Sequence, residues 1–260
     1  AHTHEFVRTG QDDTKFGFGL ASGAADAAIH RLRAMAGVEL VGIHAHIGSQ
    51  VFAVDSFAKE IDVLAGLVRG AGLPELCVGG GLGVAYVAGE AAPSIAEWAD
   101  AVHKAASEAG IQARITAEPG RAIAATAGIT LYTVGTIKAL PGIRTYVSVD
   151  GGMSDNPRPV LYGSGYEAFL PRAADAQRPR RATVVGKHCE SGDIVVRDAQ
   201  LPADLEVGDI LATPVTGAYG HSMASNYNKV PRPPVVFVAD GAARVVVRRE
   251  SLPDLCRLDE

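Results

Sequence analysis

Residues 75–81 read Glu-Leu-Cys-Val-Gly-Gly-Gly, a short apolar run that passes without a break into three glycines. The run is too short for a helix, and glycines in series destabilise one, so Glu75 to Val78 reads as a strand feeding a tight turn. Its neighbours share the same plan. Upstream, Leu40 to His46 reads as a strand ending in His44-Ala45-His46-Ile47-Gly48-Ser49-Gln50; downstream, Ala113 to Glu118 ends in Glu118-Pro119-Gly120-Arg121. Helical patterns lie between. Phe57, Ile61, Leu64 and Val68 recur at helical spacing after the candidate caps Asp55 and Ser56 and before the stop at Gly70 to Gly72. Ser94 with Glu97 forms a capping box for a helix running through Ala109 to Gly110. An Ala-rich helix is expected earlier, over Ser22 to Ala36, with Ile29, Leu32 and Met35 on one side and Gly37 as its stop. Strands alternating with helices at these lengths predict parallel βα units, of which three are legible.

The pattern changes at Gly128. Ile129 to Val134, Thr145 to Val149, Thr183 to Val185, Ile194 to Arg197, Ile210 to Pro214, Val235 to Val238 and Ala243 to Arg248 read as strands rich in β-branched residues. Asp240-Gly241 between the last two is a hairpin signal. The chain therefore divides into an α/β part, residues 1–127, and an all-β part, residues 128–260, expected to be a sandwich or barrel.

Composition narrows the function classes. A 260-residue chain with 47% hydrophobic residues can bury a large core, and its net charge of −5 comes without a dense Lys/Arg run, which argues against nucleic acid or a membrane as partner. Cys77, Cys189 and Cys256 are too few and too widely spaced for a disulfide framework and suit a reducing cytoplasm; no metal-ligand spacing is present. The first residues, Ala1-His2-Thr3-His4-Glu5, lack an initiator Met, a charged leader and an apolar segment, and are expected to be an internal start within a longer protein. His2 and His4 read as a solvated terminus rather than a metal pair.

Polar residues cluster where ligands bind in α/β folds. His44, His46, the glycines from Gly79 to Gly83, and Glu118 to Arg121 all fall at carboxyl ends of predicted strands. The glycines alone could be no more than a tight turn. Beside Ser49 and Arg121, however, their amides would make a nest for a phosphorylated ligand. In the β-rich part, His188-Cys189-Glu190-Ser191-Gly192-Asp193 places a thiol and carboxylates in a turn between strands, a costly arrangement to bury without use. Asp150 to Asn156, Arg158, Tyr162, and Gly217 through Asn228 are likewise too polar for hairpin filler.

The blocks His46-Ile-Gly-Ser-Gln50, Gly79-Gly-Gly-Leu-Gly83, Glu118-Pro-Gly-Arg121, Val149-Asp-Gly-Gly-Met-Ser-Asp-Asn156, His188 to Asp193 and Gly217 to Asn228 occur in an order that resembles the diaminopimelate decarboxylase family. That family comprises pyridoxal-phosphate enzymes of the alanine-racemase-like fold type III. The resemblance covers nearly the whole chain and implies the latter portion of a cofactor-binding (β/α)8 barrel followed by the β domain. It implies decarboxylation of meso-2,6-diaminopimelate to L-lysine with pyridoxal 5'-phosphate, in a homodimer with shared sites. By resemblance, His46 stacks on the pyridine ring, with His44 behind it. Ser49, Gly79, Gly80, Gly81, Gly120 and Arg121 hold the phosphate, and Glu118 pairs with the pyridine nitrogen. Arg121 and Arg158 grip the distal carboxylate, Tyr162 and Glu190 complete the substrate contacts, and Tyr219 touches both cofactor and substrate. Cys189 returns a proton to the substrate carbon from the neighbouring subunit. For Cys189 the plain alternative is a buried small hydrophobe; for Cys77 and Cys256 that alternative is preferred.

The resemblance has departures. His221 follows Gly220 where many members carry Cys soon after the tyrosine. Glu190 with Ser191, Arg121 and Arg158 resembles the version that accepts a second carboxylate, where relatives acting on diamine precursors carry Asp after the cysteine. Lys15, Lys59, Lys104, Lys138, Lys187 and Lys229 are the only lysines, and none matches the family's Schiff-base position. The expectation is a fragment of the enzyme; the alternatives are another fold-type III basic amino-acid decarboxylase and a non-catalytic binding module.

Overall fold

A computed structural model describes residues 15–260. His2 and His4 lie outside the described residues. The described chain forms two compact units, one running to Ala85 and resuming over Glu90–Ile123, the other made of Tyr86–Gly89 and Ala124–Glu260.

The first unit alternates helix and strand: α1 (Ala24–Arg33), β1 (Gly42–His44), α2 (Asp55–Ala71), β2 (Glu75–Cys77), α3 (Ile95–Glu108) and β3 (Arg114–Thr116), with α4 (Gly120–Ala124) at its end. The strands form a parallel sheet in the order β1-β2-β3, with Gly42 beside Glu75 and Glu75 beside Arg114. Phe57, Ile61, Leu64 and Val68 face one way from α2 and meet Trp98 and Val102 of α3 together with Leu76 of β2. Trp98 stands edge-on to Phe57 with ring centroids 5.7 Å apart. Burial of side chains of this size contributes on the order of 2 kcal/mol each, which is what holds so short a sheet.

Helix ends obey backbone chemistry more than side-chain signals. Ser94 accepts from the Glu97 N–H at 3.1 Å while Glu97 accepts from the Ser94 N–H at 2.8 Å, so the expected capping box of α3 is formed. At α2 the expected Asp55 or Ser56 cap is not made. Val54 is the cap residue, without a side-chain bond, and the helix ends at Gly72, whose φ of 58° lets its N–H reach Val68 O at 3.1 Å. The expected first helix contracts to Ala24–Arg33, buries no residue fully, and leaves Met35 exposed beyond its end.

The second unit contains β4 (Ile129–Leu140), β5 (Arg144–Val149), α5 (Arg158–Tyr162), β6 (Arg180–Val185), β7 (Ile194–Leu201), β8 (Ile210–Pro214), β9 (Val235–Ala239), β10 (Ala242–Val247) and α6 (Leu252–Cys256). Five strands join in the order β7-β6-β5-β4-β8. β4 runs past its expected end at Val134: its first half pairs with β8, its second with β5, and a register shift between Val134 and Thr136 turns one strand to both tasks. The β5–β6 pair is parallel and the rest antiparallel. Among the described residues β7 and β8 do not pair with each other, so these five strands form a mixed sheet that is not closed into a barrel by that pair. β9 and β10 form a separate hairpin whose turn residues, Asp240 and Gly241, have φ of 52° and 74°. Among the described residues, no helix is long and apolar enough to cross a membrane.

Candidate functional site

Because β1, β2 and β3 are parallel, their carboxyl ends open on one side. The backbones leave the sheet there: the strands expected to reach His46, Val78 and Glu118 stop at His44, Cys77 and Thr116. The loops beyond the strand ends are held by close backbone approach. A Cβ on Gly79 would lie 2.5 Å from Ala45 O, one on Gly80 2.2 Å from Glu118 O, and one on Gly81 2.1 Å from Gly48 O. Gly79 and Gly81 also have φ of 63° and 95°, so the triplet is demanded by both contact and conformation.

This turn fixes His46. The Gly80 N–H donates to His46 Nδ1 at 3.1 Å, so that nitrogen keeps its lone pair and the neutral ring carries its proton on Nε2. Burial lowers the His46 pKa below the ordinary histidine value, and nearby His44 lowers it further, against an opposing pull from Glu118. Next to it His44 Nε2 donates to Glu118 Oε2 at 3.1 Å. Arg121 is buried and donates to Ser49 Oγ at 3.0 Å. His44, His46, Ser49, Gly79 to Gly81, Glu118 and Arg121 are thus gathered within the first unit. Two expected phosphate donors are engaged internally: the Gly80 N–H as above, and the Gly120 N–H, which donates to Glu118 O at 2.8 Å. Cys77, read from sequence as a plain core residue, joins His44 and Glu118 in a cluster whose nitrogen, sulfur and oxygen atoms lie within 4.8 Å of one another.

The second unit holds the other residues. Arg158 is buried, donates from Nε to Tyr166 Oη and from Nη2 to Ser164 Oγ, each at 3.1 Å, and lies over the rings of Tyr86 and Tyr162. No carboxylate forms an ion pair with it among the described residues. Tyr219 is exposed and holds a φ of 57° in the loop after β8, beside Gly217, where a Cβ would lie 2.0 Å from Ala124 O.

The loop between β6 and β7 departs from its expected form. Cys189 and Glu190 are exposed, not buried. The buried carboxylate is Asp193, which accepts from the Met153 N–H at 2.7 Å and the His188 N–H at 2.9 Å while Gly152 and Gly186 leave room for it. Asp193 therefore ties the loop of residues 150–156 to the cysteine turn, and the exposed tip is what that anchor displays. His188 adds a bond between Nε2 and Ser154 Oγ at 2.9 Å. Tyr227 donates to Glu190 Oε1 at 2.5 Å and stands edge-on to His188. Asp193, Ser154 and Tyr227 all fall inside polar blocks of the sequence, but nothing in their spacing separates an anchor from a ligand contact.

Residues 1–125 match the family described as pyridoxal-dependent decarboxylase, pyridoxal binding domain. The chain is similar to the diaminopimelate decarboxylase of Actinosynnema pretiosum subsp. auranticum, 48% identical over 98% of this chain and 59% of that protein. The diaminopimelate decarboxylase of Mycobacterium tuberculosis is 45% identical over 100% of this chain and 62% of its own length. A crystal structure of diaminopimelate decarboxylase from Helicobacter pylori complexed with L-lysine matches with a TM-score of 0.86 and 34% identity, covering 99% of this chain and 64% of that one. The chain thus spans about three fifths of the length of these proteins.

Proposed function

We propose that the chain is a pyridoxal-dependent decarboxylase and that it serves the decarboxylation of meso-2,6-diaminopimelate to L-lysine and carbon dioxide, a reading supported by the match of residues 1–125 and by the similarity to diaminopimelate decarboxylases. The observation that carries the reading is the pairing of a carboxylate with a flat, neutral imidazole at the carboxyl ends of the parallel strands: Glu118 held by His44, and His46 held by the Gly80 N–H. Pyridoxal phosphate, when bound, supplies an electron sink for the carbon that loses carbon dioxide.

The residues fit that group. Glu118 suits a protonated pyridine nitrogen, because a carboxylate beside it favours the charged ring. His46 presents a neutral aromatic face for stacking. With Gly80 and Gly120 donating internally, the hold on the phosphate falls chiefly to the Ser49 hydroxyl and the Arg121 guanidinium. Arg158 carries the specificity: a buried guanidinium without a carboxylate partner among the described residues is suited to the second carboxylate that sets meso-diaminopimelate apart from other basic amino acids. Glu190 suits an ammonium group, and Tyr162 and Tyr219 complete the substrate contacts. Cys189 donates a proton to the substrate carbon. Its exposure supports its delivery to the site of a neighbouring subunit in a homodimer. The free thiols suit a cytoplasmic setting.

All six lysines are exposed, and none falls at the family's cofactor-bearing position, so we assign that lysine to residues outside these 260. The chain should therefore bind pyridoxal phosphate without covalent attachment, as read by absorbance titration, and borohydride reduction followed by mass spectrometry should find no stoichiometric label. With the cofactor present, calorimetry should show meso-diaminopimelate bound in preference to ornithine. Arg158→Gln should erase roughly a hundredfold of that preference. Absence of cofactor uptake would overturn the cofactor reading, a single labelled lysine the assignment outside the chain, and equal affinity for ornithine the substrate.

A further inference from the structure

The side chains at the carboxyl ends of the parallel sheet have a capacity that decarboxylation does not use. His44 of β1 and Cys77 of β2 are register partners, and Cys77 is partnered with Thr116 of β3, two residues before Glu118. Partners in register project to one face, and so does a residue two further along an extended chain. The result is an imidazole nitrogen, a thiol sulfur and a carboxylate oxygen within 4.8 Å of one another. His44 and Glu118 are exposed and Cys77 is half-buried, so the cluster is open to solvent.

We propose that His44, Cys77 and Glu118 form a binding site for a thiophilic divalent ion of the zinc type, with water completing its coordination. Nitrogen, sulfur and carboxylate oxygen are the donors zinc takes, and three protein ligands with one open position is a common zinc arrangement. A thiolate donor disfavours magnesium and calcium. The geometry needs little adjustment. A tetrahedral ion bound at about 2.0 to 2.1 Å to nitrogen and oxygen sets those atoms roughly 3.3 Å apart, against 3.1 Å now between His44 Nε2 and Glu118 Oε2. The ion replaces the proton that joins them. To the sulfur the required separation is roughly 3.5 Å, so from at most 4.8 Å Cys77 and its partners must close by little more than one ångström. Sequence spacing hid the set because His44 and Cys77 come from different strands and Glu118 from the loop after a third.

Glu118 is also the residue placed at the pyridine nitrogen, so the ion and the cofactor compete for it; that consequence, unlike the metal site, rests on the cofactor reading above. The test uses cobalt(II) as a spectroscopic stand-in for zinc on the purified chain. Expected are one equivalent bound per chain, a thiolate-to-cobalt charge-transfer band in the near ultraviolet, and displacement of cobalt by zinc. Cys77→Ser should abolish the band, and His44→Gln should weaken binding at least roughly tenfold. Cys256→Ser should change neither. A band that survives Cys77→Ser, or none in the unaltered protein, overturns the site. Zinc should also raise the pyridoxal phosphate concentration needed for half-saturation. Zinc bound through Cys77 with cofactor uptake undiminished would overturn the competition alone. Absent cofactor uptake with the cobalt band intact would count against the cofactor reading and leave the metal site standing.

Discussion

His46 is held neutral by the same hydrogen bond that orients it, since a proton on Nδ1 would put two donors face to face at Gly80. Burial adds to this, so the folded pKa lies below that of an unfolded histidine. On acidification below about 6.5 the unfolded chain takes up a proton that the folded chain resists, and His46 then costs stability as pH falls towards its lowered value. Nitrogen NMR of the labelled imidazole should show Nε2 protonated and Nδ1 bare at neutral pH, with a midpoint below the ordinary histidine value; an ordinary midpoint would sink the argument. Gly80 is the residue on which this depends. A methyl group there would lie 2.2 Å from Glu118 O, which is backbone and cannot rotate away. Gly80→Ala should cost about 1 to 3 kcal/mol in urea denaturation and weaken pyridoxal phosphate uptake by displacing Glu118. Unchanged uptake would show that Glu118 does not touch the cofactor.

At the scale of elements, α2 carries an acid in the core. Glu60 is 7% exposed and neither of its oxygens has a partner among the described residues. Burial pushes its pKa up to about 7. Between about 4.5 and 7 the unfolded chain has lost this proton while the folded chain keeps it, so folding is progressively disfavoured as pH rises through that window and the penalty levels off above it. Glu60→Met should therefore stabilise the chain more at pH 8 than at pH 5, by on the order of 2 kcal/mol, in chemical denaturation. Equal gains at the two pH values would mean that Glu60 ionises freely. Elements such as α2 were legible from sequence because Phe57, Ile61, Leu64 and Val68 answer to one local period. Glu60 was not, since a helical pattern marks an apolar face without marking the polar residue caught at its edge. The same limit applies to the site. Glycine turns and strand-end histidines are local signals, so the groups at β1, β2 and β3 could be expected together. The β4 extension, broken in sequence by Gly135, Thr136 and Lys138, and the parallel β5–β6 pairing depend on partners far along the chain. Cys189 was placed in its turn correctly but with the wrong exposure, because which carboxylate of His188 to Asp193 turns inward is decided by the amides of Met153 and His188.

For the whole molecule, what remains uncovered matters most. Within the described first unit the parallel sheet has three strands, so β1 and β3 each keep an unpaired edge. Edges of that kind are commonly paired or covered. In the second unit the β9–β10 hairpin stands as a two-stranded ribbon, which is marginal alone. Its successive residues Val236, Phe237 and Val238 are 42%, 59% and 74% exposed, and successive residues on a strand point to opposite faces. Both faces of the ribbon therefore show apolar surface to water, joined by Val245 and Val247 on β10. Apolar surface shared by adjoining strands favours association. The proposed homodimer, in which Cys189 serves a neighbouring site, would supply such a partner. Light scattering at micromolar concentration should accordingly give a mass near twice the 26.9 kDa of one chain. Val238→Asp, which puts a charge on the most exposed apolar position of β9, should shift the population towards monomer without altering the thermal unfolding of the first unit's helices. A monomer in both proteins would remove the support that this surface lends to a shared site, and Cys189 would then have to act within its own chain.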